Sequence, residues 1–312
     1  MTGIAIVGGK ENGMKNYIDL HMHSIYSDDG EFTPRELVLK CVEAGVRIMT
    51  IADHNSVKAI DEEKVACLEA GIICIPALEI DCTYQGINLH VLGYGIDHTR
   101  QDIQALETNV YQQEVACSEQ KLALTNQLGF QLEKADLERL SSNGVWTGEM
   151  FAEVLLGKEE YQDAELLKPY REGGSRSDNP FVNFYWDYYA QGKPCYTEIV
   201  YPSLEETIQL IHQAGGKAVL AHPGNNLKGC FERFDEMVAL GLDGVEAFSS
   251  YHSLETIDYF YQKGLAYGLL ITSGSDFHGK TKPAIAINGS QCTIDQQITE
   301  MQLKQAGLIA EK

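Results

Sequence analysis

The chain has 312 residues, a formal charge of −21 and 44% hydrophobic residues. A charge of that sign argues against a nucleic-acid polymer as partner, since affinity for its backbone comes chiefly from Lys and Arg neutralising phosphates. No run of roughly 18 apolar residues is present to span a membrane, and the N-terminus lacks the basic-then-apolar order of a secretion signal, so no membrane partner and a cytoplasmic location are expected.

Residues 1–13 read as a loose leader, with Met14 a candidate start. In "YIDLHMH" (17–23), read as a strand, Ile18, Leu20 and Met22 face one way while Asp19, His21 and His23 face the other. "TPRELVLKCVEAG" follows as a helix, with Thr33 as N-cap, Pro34 at the first position and Gly45 as its stop. Next come "RIMTIADH" as a buried strand, "VKAIDEEKVACLEAG" as a helix, and "IICIPALEI" and "INLHVLGYGI" as strands. The alternation breaks over residues 99–195. Long polar helical stretches there precede the aromatic, turn-rich "GGSRSDNPFVNFYWDYYAQGKP", and the whole reads as an inserted, mostly helical cap.

It resumes with "SLEE", a capping box that opens the helix "LEETIQLIHQAGG". After it come the strand "KAVLAH", a helix near 231–240, the strand "GVEAF", a helix near 253–263 and the strand "GLLITSGSDFH". Seven strands with intervening helices imply an α/β fold whose parallel sheet closes most simply as a (β/α)7 barrel, built from residues 14–98 and 196–312. The eight cysteines include no Cys-x-x-Cys pair and read as buried thiols.

Barrels of this kind place their chemistry at the C-terminal ends of the strands. The polar residues there are His21, His23 and Asp28, then His54, Glu79, His90, His222, Asp276 and His278. Six of the nine histidines are in that set, while His98, His212 and His252 read as structural or surface residues. Imidazole with carboxylate suits Mn²⁺, Fe²⁺ or Zn²⁺, and nine candidate ligands are too many for one ion, so two or three divalent ions are expected, Mn²⁺ first among them.

The segments "DLHMHSIYSDDGEFTP", "ADHNS", "ALEI", "LHVLGYGID", "LAHPG" and "GSDFHG" resemble the successive motifs of the PHP (polymerase and histidinol phosphatase) family, metal-dependent phosphoesterases on a distorted seven-stranded barrel. The resemblance implies that His21, His23, Glu79 and Asp276 hold one ion. Glu79 then bridges to a second ion held by His90 and His222, and Asp28, His54 and His278 hold a third. If only two ions bind, Asp28, His54 or His278 is available as a catalytic acid. Metal binding lowers the pKa of water from about 15.7 toward about 7, which supplies hydroxide to attack a phosphate ester near neutral pH. A metal-stabilised binding module and an amidohydrolase stand as alternatives.

The cap is expected to select a small phosphorylated metabolite. Arg176, Lys193, Lys228 and Lys282 are basic residues in turn-rich segments of an acidic chain and read first as surface charges, and of them Arg176 and Lys193, within the aromatic segment, are favoured as phosphate ligands. PHP relatives that act on nucleotides typically carry Thr-Arg-Pro-His followed by a short helix with another arginine. In "WTGEMFAEVLL" Thr147 remains, but Gly148 and Met150 stand in the Arg and His places and Glu153 in that of the second Arg. Loss of those cations weakens a nucleotide site. The segment "NPFVNFYWDYYAQGKP" resembles a subgroup that opens a cyclic phosphodiester of ribose phosphate and then removes the phosphate. The best match is 5-phosphoribosyl 1,2-cyclic phosphate, converted to ribose 5-phosphate and phosphate, with nucleotide phosphatase and histidinol phosphatase as alternatives. The sequence leaves oligomeric state open.

Overall fold

A computed structural model of the chain describes residues 16–141 and 143–311. The leader and Met14 lie outside the described residues. The first strand, β1 (Ile18–Met22), is fully buried. Helix α1 (Pro34–Ala44) starts and stops as its sequence dictates: the Thr33 hydroxyl accepts from the Glu36 amide, the Glu36 carboxylate accepts from the Thr33 amide, and Gly45 ends the helix at φ 81°. Strand β2 (Ile48–Ile51), helix α2 (Ile60–Ala70), strand β3 (Ile73–Cys74), strand β4 (Ala77–Tyr84) and strand β5 (Ile87–Tyr94) follow.

Helices α3 (Gln101–Gln127), α4 (Lys134–Glu138), α5 (Gly148–Gly157) and α6 (Pro180–Tyr188) come next, then α7 (Leu204–Gln213), β6 (Lys217–Leu220), α8 (Pro223–Asn226), α9 (Phe234–Ala239), β7 (Gly244–Ser249), α10 (Leu254–Tyr267), β8 (Leu270–Gly274) and α11 (Gln296–Gln305). The capping box predicted at the start of α7 forms between Ser203 and Glu206. None of the described helices is long and apolar enough to cross a membrane.

The fold is mixed α/β, but the sheet differs from the expected seven-stranded parallel barrel. Strands β1, β2 and β3 form one parallel sheet, and β4 to β8 form a second in chain order. In the second, β4 and β5 are antiparallel, as are β5 and β6, and only β6, β7 and β8 run parallel. The cause is local. Only Gln85 (φ 48°) and Gly86 (φ 81°) separate β4 from β5, a left-handed pair that makes a two-residue hairpin, whereas a parallel crossover needs a dozen residues or more. The stretch read as one strand, "IICIPALEI", is two, broken at Ile75 and Pro76. The two sheets meet at single bridges, Met22 with Phe277 and His54 with Glu79, without a continuous ladder.

The helical segment after β5 packs an apolar cluster of its own around Phe151, Leu155, Leu167, Phe184 and Tyr189. Phe151 and Tyr189 stack at 5.4 Å between ring centroids. The aromatic stripe thus mainly packs this segment, while Tyr185, packed against that cluster, and Trp186 also line a cavity. Helix α11, absent from the sequence reading, ties the C-terminal region to β1: the Gln296 side chain accepts from the amides of Tyr17 and Ile18 at 2.5 and 2.8 Å.

Candidate metal centre

Strand β1 carries His21 and His23 to the mouth of the sheet. Glu246 Oε1 holds His21 by Nδ1 at 3.0 Å, and Ser27 Oγ holds His23 by Nδ1 at 2.9 Å, so each ring turns its Nε2 inward. His21 Nε2 then lies 3.1 Å from Glu79 Oε2 and 3.4 Å from Asp276 Oδ1, and His23 Nε2 lies 3.3 and 3.0 Å from the same two atoms. Glu79, on β4, is central. Its Oε2 also approaches His54 Nδ1 at 3.2 Å, while its Oε1 lies 3.1 Å from both His90 Nδ1 and His222 Nε2. His278 turns Nε2 to Asp29 Oδ2 at 3.1 Å and Nδ1 to the Asp276 carbonyl at 2.9 Å.

Whether these residues fit metal ions is tested by their orphaned atoms. His21 Nε2, His23 Nε2, His54 Nδ1, Glu79 Oε2, Asp276 Oδ1 and His278 Nε2 are buried and have no hydrogen-bond partner among the described residues, although their neighbours stand at little more than 3 Å. Ring nitrogens and carboxylate oxygens crowded at that spacing without hydrogen-bond alignment offer common points to an ion that displaces the imidazole protons. A buried polar atom left unsatisfied costs about 1–3 kcal/mol, and a divalent cation at such a point removes that penalty. Among the described residues, four donor groups have atoms within 4.8 Å of one another: three built on the expected ligands, namely His21, His23, Glu79 and Asp276; Glu79, His90 and His222; and His23, Asp29, His54 and His278; and a fourth of His54, Asp81 and His90. The residues present fit ions.

Charge in the unloaded site follows from the same packing. Burial opposes ionisation of Glu79 and Asp276, yet His21, His54 and His90 for the first and Lys282, His278 and His21 for the second hold both carboxyls well below their usual range. Burial also opposes charge on His54, but Glu79 and Asp81 outweigh it and raise its pKa to about 10. His21 is raised well above its ordinary value against the same burial, by Glu79, Glu246 and Asp276. His23 goes the other way, to about 4, through burial and the nearby His278 and His54.

Backbone strain is concentrated here. Asn55 (φ 51°), His222 (φ 24°) and Asp276 (φ 58°) hold left-handed conformations that non-glycine residues rarely adopt, as happens where a site dictates local geometry. Gly274 is required beside them, because a Cβ there would lie 2.2 Å from His21 Cβ and 2.3 Å from Glu246 Oε1.

The structure brings together His21, His23, His54, Glu79, His90, His222, Asp276 and His278, and it corrects two other expectations. Asp28 does not face His278: its Oδ1 accepts from Asn143 Nδ2 at 2.5 Å, and the next residue, Asp29, takes the position beside the imidazole. Arg176 is committed to Asp187, with Nε–Oδ2 at 3.0 Å and Nη2–Oδ1 at 2.9 Å, and does not line the cavity over the cluster. Lys193 does line it. Lys282, weighed mainly as a surface charge, is buried against Asp276.

Residues missed from sequence include Glu246, which holds His21 and accepts from the His222 amide at 2.8 Å. A glutamate inside the otherwise apolar β7 was the available signal. The three histidines set aside are placed elsewhere: His98 on Asp61, His212 on Asp243, and His252 between the Gly224 amide and the Ala247 carbonyl.

A cavity of about 610 Å³ is lined by His54, His90, His222 and Asp276 of the cluster and by Glu149, Tyr185, Trp186 and Lys193 of the segment that follows β5. That volume suits a small-molecule site.

Residues 19–238 match the PHP domain family. A "5'-3' exoribonuclease" of Haemophilus influenzae is 28% identical over 85% of this chain and 91% of its own length. The "3',5'-nucleoside bisphosphate phosphatase" of Chromobacterium violaceum is 29% identical over 84% of this chain and 87% of its own. The "Phosphoribosyl 1,2-cyclic phosphate 1,2-diphosphodiesterase" of Eggerthella lenta is 25% identical over 84% and 94%. Among solved structures, an amidohydrolase from Chromobacterium violaceum with bound sulfate and no metal superposes with a TM-score of 0.72 at 26% identity, covering 84% of this chain and 88% of that one. With ions fitted by its orphaned donors and a family model matched over most of its length, the chain belongs to the PHP family and is a metal-dependent phosphoesterase.

Proposed function

We propose that the protein hydrolyses a small metabolite carrying two phosphate groups, with 5-phosphoribosyl 1,2-cyclic phosphate, converted to ribose 5-phosphate and phosphate, as the best match. One observation carries this reading. Of the lysines lining the cavity, Lys58 is paired with Glu107, Lys121 with Glu114 and Lys282 with Asp276, whereas Lys193 has no carboxylate partner among the described residues. A free cation lining the same cavity as the cluster suits a second, terminal phosphate. The N-terminus of α5 presents Gly148 to the cavity in place of the Arg a nucleotide site would use there, with the Glu149 carboxylate beside it, which supports a sugar phosphate.

In this reading two or three divalent ions, Mn²⁺ first and Fe²⁺ or Zn²⁺ next, occupy the three donor groups, with Asp29 in the place expected of Asp28. Bound ions supply hydroxide at neutral pH and neutralise phosphoryl charge. The chain's own residues do the rest. Glu246 and Ser27 fix the tautomers of His21 and His23, His54 faces the reacting phosphate while the buried His278 stands behind it on Asp29, Lys193 holds the distal phosphate, and residues 99–195 act as the cap that excludes water. The enzyme works in the cytoplasm on a soluble metabolite.

A second reading, a 3',5'-bisphosphate nucleotide, is favoured by the rings of Tyr185 and Trp186 in the cavity wall, on which a base could stack, and by the likeness to the Chromobacterium violaceum phosphatase. The test is kcat/KM with Mn²⁺ for the cyclic phosphate against AMP, 3',5'-bisphosphate nucleotides and histidinol phosphate, with ammonia release from amides as a control. A nucleotide or histidinol phosphate preferred tenfold, about 1.4 kcal/mol in transition-state binding, overturns the cyclic-phosphate reading.

A further inference from the structure

Asp81 stands two residues after Glu79 on β4, so the strand's period of two turns both carboxylates to the same face. Asn55 grips it reciprocally: Asn55 Nδ2 donates to Asp81 Oδ2 at 2.7 Å, and the Asp81 amide donates to Asn55 Oδ1 at 3.0 Å. The other oxygen, Oδ1, is thereby aimed at the cluster. It lies 3.1 Å from His90 Nε2 and 3.5 Å from His54 Nδ1. Neither contact has the alignment of a hydrogen bond, and Asp81 Oδ1 and His54 Nδ1 are both buried without a partner among the described residues. This is the geometry of the orphaned donors around Glu79 and Asp276. The three donor atoms lie within 4.8 Å of one another.

We infer that Asp81, His54 and His90 form a further divalent-cation seat on the cavity side of the cluster, with Asp81 as a metal ligand and Asn55 as the residue that positions it. Two imidazoles and one carboxylate suit Mn²⁺, Fe²⁺ or Zn²⁺ and leave coordination positions open. All three residues line the cavity, so the open positions face the space a substrate enters. A neutral imidazole lends one lone pair. His90 uses Nε2 here, and its Nδ1–H is donated to Glu79 Oε1 at 3.1 Å, in hydrogen-bond geometry. An ion on His90 therefore has two alternative seats, one with Glu79 and His222 and one with Asp81 and His54. The seat is independent of which phosphoester is hydrolysed.

The experiment is anomalous diffraction at the zinc edge from crystals of the full chain soaked in Zn²⁺. A peak about 2.0–2.2 Å from Asp81 Oδ1 and the two imidazole nitrogens is expected. Peaks confined to the other donor groups, with Asp81 Oδ1 hydrogen-bonded to His90 Nε2, overturn the inference. In solution, Asp81→Asn is expected to lower the affinity for one Zn²⁺ at least tenfold, measured by chelator competition without substrate, and Asn55→Ala to lower it less. Unchanged Zn²⁺ affinity in Asp81→Asn also overturns it. The wild-type diffraction result decides the matter if that variant does not fold.

Discussion

Lys282 Nζ lies 2.7 Å from Asp276 Oδ2, and the Tyr251 hydroxyl donates to the same oxygen at 2.5 Å. Two donors saturate Oδ2 and leave Oδ1 facing His21 and His23. The lysine is almost fully buried, so its charge acts on the centre with little screening by water. Lys282→Met is expected to lower kcat and metal affinity about 10- to 100-fold, the range for losing a group that supports a ligand. Lys282→Arg should recover part of both. Kinetics and elemental analysis of the purified variants check it, and wild-type values in Lys282→Met would show that Tyr251 alone suffices.

Adjacent aspartates should respond differently. Asp29 faces His278, whereas Asp28 is bound to Asn143. Asp29→Asn is expected to reduce kcat by about 10² or more, on the scale of failed metal support, and Asp28→Asn to stay within a few-fold of wild type. Parallel turnover assays decide it, and the reverse order would restore Asp28 to the centre.

Glu246→Gln keeps the shape of the side chain but removes the carboxylate that orients His21 through Nδ1. Metal affinity is expected to fall about 10- to 100-fold with the circular-dichroism spectrum unchanged. A chelator titration that matches wild type would make Glu246 a folding residue only.

Metal affinity should rise with pH. In the unloaded chain the surrounding carboxylates favour a proton on His54, whose pKa is raised to about 10, and on His21, raised well above its ordinary value. An ion needs those lone pairs and must displace the protons, whereas His23, lowered to about 4, is already neutral. Calorimetry in buffers of different ionisation enthalpy is expected to show proton release on loading at pH 7. Its absence would mean that the imidazoles are neutral before the ion arrives.

Most of the candidate cluster was legible because strand period and strand-end placement act over a few residues: His21 and His23, Glu79, and the pair Asp276 and His278 are brought together as local spacing suggests. Asp28 and Asp29 could not be told apart that way, since both are carboxylates in one turn and the choice depends on Asn143, 115 residues away. Arg176 failed for a similar reason, its partner Asp187 being one helix further on. The hairpin between β4 and β5 was in the sequence as Gln85-Gly86, but the expectation of uniform alternation overrode it. Helix α11 makes contacts 278 residues from itself in sequence, beyond any local pattern.

The candidate ligands come from both sheets, His21, His23 and His54 from the first and its loops, Glu79, His90, His222 and Asp276 from the second, and those sheets, although they share an apolar core, are joined in the backbone by isolated bridges in place of a continuous ladder. An ion shared between them is therefore a clasp on the fold as well as a reagent. Loading should stabilise the chain by RT ln(1 + [L]/Kd), about 4 kcal/mol at a thousandfold excess over Kd, and chelation should open the seam first. Hydrogen exchange is then expected to quicken around Met22, His54 and Phe277 before it quickens in β6 or β7, so that an apparent loss of activity on metal depletion is preceded by a loosening of the wall that holds the ligands.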